Sequence, residues 1–265
     1  MQPFGEWVAK NLKYKKVATV GLDYAFGWET VGGFQRTFEE QGGQVDAEDL
    51  DAAQHHRLLS VHRPDPAATP TRCSPSSSDG WIAAVREAVR GVGAEGRRSR
   101  SSAAGRSPTS RCCRQMGDEA LGVHHRRSTT PPALDNPANK KYAKAFEAKA
   151  GKIPSYYAET CYTNMRWIVE AIKAINGKVE DREALLGRSA RRWSSRTSAR
   201  GPVVIDKWGN PVQNIYVRKV ERVGGQLQNS VIFTYPAVSQ FWKYNPDEFL
   251  KQPLYTRDYP PCKHC

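Results

Sequence analysis

The period of apolar positions changes several times along this 265-residue chain. Residues 17–23, "VATVGLD", form a β-branched run of strand type that ends in the loop "YAFG". Val31, Phe34 and Phe38 then recur at helical spacing until Gly42-Gly43 stops the pattern, so a strand, loop and helix of an α/β fold are expected. Ligands of open α/β sheets gather at the carboxyl ends of strands, and Asp23, Tyr24 and Phe26 fall there. They are expected either to meet a small molecule or to form a polar turn with two packing aromatics.

Downstream, "DNPANKKYAKAFEAKAGK" offers Asn136 as an N-cap, Pro137 at the first helical position and Gly151 as the stop. A second helix is expected after Pro154-Ser155, burying Tyr157, Cys161, Ile168, Ala171, Ile172 and Ile175 along one face and ending at Asn176-Gly177. Cys161 on that face reads as a small core residue. From Pro202 the pattern turns to β: "GPVVIDKWGNPVQNIYVRKV" and "QLQNSVIFTY" are strand-like, punctuated by Asp206, Gly209-Asn210 and Gly224-Gly225. A tail rich in Pro and aromatics follows.

Charge alters this picture. A net charge of +13 would ordinarily point to nucleic acid. However, residues 51–133 hold thirteen Arg, no Lys and seven acids, and residues 184–200 hold five Arg and no acid, leaving +2 for the rest. The long basic segment has one aromatic, Trp81, and five of the six histidines. Its composition is too poor in apolar area to offset chain entropy, so little packed structure is expected beyond a helix near Trp81–Val92 and some order after Gly117.

The segments outside these basic runs resemble a known family. "YKKVATVGLDYAFGWETVGGFQRTFEEQGGQV", "LDNPANKKYAKAFEAKAGKIPSYYAETCYTNMRWIVEAIKAINGKVEDREALL" and "GPVVIDKWGNPVQNIYVRKVERVGGQLQNSVIFTYPAVSQFWKYNPDEFL" are similar to extracytoplasmic solute-binding proteins of ABC importers, in the branch that binds branched-chain amino acids, amides or aromatic acids. The resemblance implies a type I periplasmic binding protein fold, α/β, with two Rossmann-like lobes joined by hinge strands that close on a solute. It implies a first lobe lacking its opening half, because Met1 falls just before what resembles the first strand of the second lobe. Back-translated and read one nucleotide later, Asp51–His62 permits T-P-L-N-T-T-D-F-S-A-Y-I, a string similar to the family's own. Residues 84–96, 125–132 and 188–197 allow comparable readings. The basic runs are therefore expected to be out of frame, the alternative being a disordered basic interaction segment.

The expected organisation is 1–50 as the start of the second lobe, 51–133 aberrant, 134–187 helical and in the first lobe, 188–200 aberrant, and 201–265 as hinge strands and tail. The implied function is the substrate-binding component of an importer for an amino-acid-like, amide or aromatic carboxylate solute, with permease subunits as partners and a defect in this form. A ligand-sensing regulator of the same fold and a basic nucleic-acid-binding protein are the alternatives. Tyr157 and Glu159 lie where the family's first-lobe helix faces the cleft, and would either touch solute or form a buried hydrogen-bonded pair. Aromatic groups would pack the solute, with backbone N–H or hydroxyl groups on its carboxylate.

No Ser-His-Asp set, phosphate loop or paired carboxylates stand out, so an enzymatic role and a cofactor are not expected. The terminal Cys262-x-x-Cys265 suits a local disulfide, a bond to Cys161 or an unpaired tail better than zinc. Cys112-Cys113 and His124-His125 are expected to be accidents of frame, with no metal site. The resemblance implies a periplasmic location, whereas "MQPFGEWVAKNLKYKK" lacks the features of a signal peptide, so the chain as written is expected in the cytoplasm.

Overall fold

The computed structural model describes residues 1–51, 73–74, 102–103, 121–127, 134–192, 198–261 and 263. The chain divides into two units, one of Met1–Pro108, Ala120–Arg126 and Lys243–Cys265, the other of Thr109–Glu119 and Arg127–Trp242. The expectations for the bulk of residues 51–133, for Cys112-Cys113 and for a Cys262–Cys265 bond lie outside the described residues.

In the first unit, α1 (Gln2–Trp7) continues as a π-helical turn, Val8–Leu12, before β1 (Lys16–Leu22), α2 (Ala25–Glu40) and β2 (Gln44–Asp51). β1 and β2 are parallel, with α2 as the crossover that parallel pairing requires. Short strands β3 (Cys73–Ser74), β4 (Ser102–Ala103) and β5 (His124–Arg127) pair in parallel in that order, and β1 runs beside β3. The expected helical face of α2 is buried at Val31, Phe34 and Phe38, against Phe4, Trp7 and Val8 of the N-terminal helix. Phe4 lies 6.1 Å from both Trp7 and Phe34, giving the aromatic contact spacing that adds to apolar burial.

The tail of this unit forms α6 (Pro246–Leu250), capped by Asn245, and then a strap along α2. Arg36 Nη1 donates to Gln252 Oε1 at 2.6 Å while its guanidinium lies 3.8 Å over the Tyr244 ring. Gln35 donates to the Pro261 carbonyl, and Lys263 pairs with Glu39 at 3.1 Å. At Gly32 a Cβ would sit 2.6 Å from Tyr255 Cδ1 and 2.8 Å from Pro260 Cδ, so only glycine lets the strap lie this close. Burial raises the Glu6 carboxyl, but hydrogen bonds from Lys10 and Lys243 outweigh it and hold it below its ordinary value. The stability from this group is present above the ordinary carboxylate range and is lost as pH falls through the lower folded value.

The second unit carries α3 (Pro137–Ala150), α4 (Tyr156–Ala174), α5 (Arg182–Arg192), β6 (Val203–Ile205), β7 (Pro211–Val223) and β8 (Gln226–Val238). The punctuation acts as its chemistry predicts. Asn136 Oδ1 accepts from Asn139 N at 2.6 Å, Pro137 opens α3, and Gly151 ends it at φ 63°. β7 pairs antiparallel with β6 and with β8, and Gly224-Gly225, both at positive φ, close the two-residue turn of the β7–β8 hairpin.

One expectation is corrected. α4 buries Glu159, Thr163, Trp167 and Ala171. Of the six residues expected to be inside, Ala171 is buried, while Tyr157, Cys161 and Ile168 are exposed and Ile172 and Ile175 are intermediate. With 3.6 residues per turn, the buried stripe and the face through Tyr157, Cys161, Met165 and Ile168 lie roughly 130° apart around the axis. The stripe follows the buried Glu159 ion pair rather than the apolar maximum. Cys161 is accordingly an exposed free thiol.

Beside α4, the Tyr142 ring stacks on Tyr162 at 4.5 Å, and its buried hydroxyl has no hydrogen-bond partner among the described residues. Burial, with the nearby Glu159 charge, pushes that hydroxyl far above the ordinary tyrosine value. Tyr142→Phe is expected to raise the stability of the protein by about 1 kcal/mol, because it removes an unsatisfied polar atom and keeps the stack. A lower chemical-denaturation midpoint for the variant would refute this.

Candidate functional site

Asp23, Tyr24 and Phe26 stand between the carboxyl end of β1 and the first turn of α2. Tyr24 is the extended residue before the helix, and its carbonyl accepts from Gly27 N and Trp28 N, but no side chain caps the helix. The leading N–H groups of α2 thus keep a positive potential at this loop. Tyr24 and Phe26 stack with centroids 6.1 Å apart and are 41% and 40% exposed, so the pair packs ring on ring and leaves an apolar surface partly open to solvent.

Asp23 is held from two sides. Trp28 Nε1 donates to its Oδ1 at 2.9 Å, and Arg257 Nη1 of the strap lies 3.5 Å from its Oδ2. Neither partner was identified from the sequence. The Asp23 to Trp28 spacing, reaching from the loop into the first turn of the helix, is a usable local signal. Arg257 sits far along the chain in a tail without periodicity, where no sequence signal marks it.

The other two expected residues lie in the second unit, at the start of α4. Tyr157 is exposed and meets Tyr156 edge to face at 5.3 Å. Glu159 is fully buried, and its carboxylate is occupied. Arg200 Nη2 donates to Glu159 Oε2 at 2.9 Å and Arg200 Nε to Oε1 at 3.3 Å, while Thr163 Oγ1 donates to Oε1 at 2.6 Å. Arg200 also donates to Thr160 Oγ1 and Gln213 Oε1, and its own carbonyl accepts from Tyr216 OH. Glu159 is therefore hydrogen-bonded and buried as one of its two expected outcomes has it, but its partner is Arg200, 41 residues on, and not Tyr157. Arg200 falls in the basic run expected to be aberrant, yet it is 6% exposed and sits within the packed fold.

A groove of about 570 Å³ between α3 and α4 is lined by Lys141, Arg166 and Lys173 together with Tyr162 and Val169. It contains none of the expected solute residues. Among the described residues no His, Cys, Asp or Glu cluster could hold a metal ion, and no helix is long and apolar enough to cross a membrane.

Comparison with known proteins bears on this geometry. Residues 114–226 match the family model described as periplasmic binding protein. The chain is 26% identical over 237 residues to Leu/Ile/Val-binding protein homolog 6 of Brucella suis biovar 1 (strain 1330), covering 86% of this chain and 59% of that protein. It is 29% identical, with a TM-score of 0.74, to a solute-binding protein of an ABC transporter from Rhodopseudomonas palustris BisB5 in complex with 3,4-dihydroxybenzoic acid, over 89% of this chain and 64% of that one. A second R. palustris solute-binding protein, in complex with benzoate, is 26% identical with a TM-score of 0.72, over 89% and 62%. The chain thus spans about three fifths of the length of these relatives. Residues 114–226 are thus similar to the periplasmic binding protein family, and the chain has the type I fold of these solute-binding proteins.

Proposed function

We propose that this chain is the substrate-binding component of an ABC importer whose solute is a small carboxylate, aromatic or amino-acid-like. The observation that carries the reading is the exposed Tyr24–Phe26 stack beside the anchored Asp23, at the strand end where α/β folds bind ligands. The stack offers a ring a flat apolar surface. The uncapped α2 terminus and the Arg257 guanidinium favour an anion. The ligands named for the two R. palustris relatives, 3,4-dihydroxybenzoic acid and benzoate, combine a ring with a carboxylate. Tyr157 is a second candidate contact, while Glu159 acts by holding Arg200. Permease subunits as partners and a periplasmic location follow from the same reading.

Tight affinity in such binders comes from burying the solute on all sides. The Tyr24–Phe26 platform alone covers one side, so the 265-residue chain is expected to bind benzoate or 3,4-dihydroxybenzoate with a Kd on the order of 1 mM. Titration against aromatic acids, branched-chain amino acids and amides, followed by ligand-observed NMR, tests it. Saturable binding by none of them would refute the function. Micromolar binding would show that residues 51–133 complete the site and would overturn their reading as out of frame.

A further inference from the structure

We propose that Arg257 is the group that receives the solute's carboxylate, an inference that rests on the carboxylate-binder reading above. The family resemblance led to the expectation of backbone N–H or hydroxyl groups in that role. The strap supplies a full cation instead.

The strap brings Arg257 to the loop as a fixed group. Thr256 N donates to the Tyr259 carbonyl at 3.0 Å, closing a tight turn with Arg257 inside it. The turn is held on α2 by Tyr255 and Pro260 against Gly32, by the Gln35 bond to Pro261, and by Lys263 with Glu39. From this turn the guanidinium reaches Asp23 through one 3.5 Å approach, looser than a two-pronged arginine–carboxylate pair.

The two partners are unequally placed. The Asp23 side chain is 17% exposed and already accepts from Trp28 Nε1, so it acts as an anchor. The Arg257 side chain is 64% exposed, and a guanidinium carries five N–H donors in a planar fork, more than its one approach to Asp23 uses. A carboxylate docking on that fork would have Tyr24 and Phe26, one and three residues past Asp23, as the surface for its ring. The Asp23 charge limits the site to one anionic group and disfavours dianions.

The test compares benzoate with benzamide, equal in ring and lacking the charge, by saturation-transfer NMR on the intact chain and on Arg257→Ala and Arg257→Lys. The intact chain should prefer benzoate. Arg257→Ala should weaken benzoate roughly tenfold, the loss of a charged hydrogen bond, and leave benzamide unchanged. Arg257→Lys should keep part of the preference, since it retains the charge without the fork. The Trp28 indole N–H resonance, assigned by its absence in Trp28→Phe, should shift on adding benzoate to the intact chain and not to Arg257→Ala. Equal benzoate affinity in the intact chain and Arg257→Ala would overturn this assignment while leaving the proposed function standing. Binding of neither ligand by the intact chain would overturn this assignment, and the function falls with it only if the whole panel of acids, amino acids and amides also fails to bind. Arg257 is exposed, so both variants should keep the circular dichroism of the parent. A variant that unfolds would mean that the arginine is a structural clasp, which also overturns the assignment.

Discussion

Glu159→Ala should destabilise the protein by about 3–5 kcal/mol, the cost of leaving one member of a buried ion pair alone. Arg200 would keep Thr160 and Gln213, but it would lose both contacts to the carboxylate and remain a cation shielded from water. Thr163 would lose the acceptor for its hydroxyl as well. Guanidinium unfolding followed by far-UV circular dichroism measures the effect. Replacing both partners with methionine should recover most of the loss, because the pair's desolvation cost disappears with its attraction. A drop below about 1 kcal/mol for the single variant would show the pair to be effectively solvated, as surface pairs are.

The second large effect is expected at Gly5, where α1 crosses α2. A Cβ there would run into the Phe34 carbonyl oxygen and Thr37 Oγ1, and would sit 3.1 Å from Phe38 N. Two of those atoms are backbone and cannot rotate away. Thr37 Oγ1 is itself tied to the Gln2 carbonyl at 2.7 Å. Gly5→Ala should therefore force the helices apart at a cost of about 1–3 kcal/mol, in the range of overpacked cores. Gly33→Ala is the control, because its Cβ would meet Met1 Cβ at an ordinary 3.4 Å. That variant should be neutral or gain up to about 1 kcal/mol from helix propensity. Equal denaturation midpoints for the two variants would refute the close-contact argument.

These two sites show where the sequence is readable and where it is silent. The capping chemistry at Asn136, Pro137 and Gly151 is local, so the sequence announces both ends of α3. The same is true of the Gly224-Gly225 turn and of the apolar spacing in α2. Periodicity also shows that α4 is a helix, but it cannot say which face will find a neighbour. The apolar face through Tyr157 and Met165 remains exposed, while a stripe with Glu159 at its head is buried. An acid inside is legible only if its base is recognised, and Arg200 was hidden by its arginine-rich surroundings. Asp23, Tyr24 and Phe26 can be placed in the loop after β1 because the end of a strand is a place that a sequence marks. Trp28 and Arg257 complete that loop through side-chain reach, the second from the opposite end of the chain.

The Gly224-Gly225 turn has a consequence for the order of folding. A two-residue connection asks almost nothing in loop-closure entropy, and each further pair between β7 and β8 adds to one already in register. Isolated hairpins of this kind form in about 1–10 μs. Joining β1 to β2 is slower in principle, since α2 must be in place before the parallel partners meet. In pulse-labelling hydrogen exchange, amides of residues 211–238 should therefore gain protection before those of residues 16–22, giving unit two a scaffold while unit one is still assembling its first pair of strands.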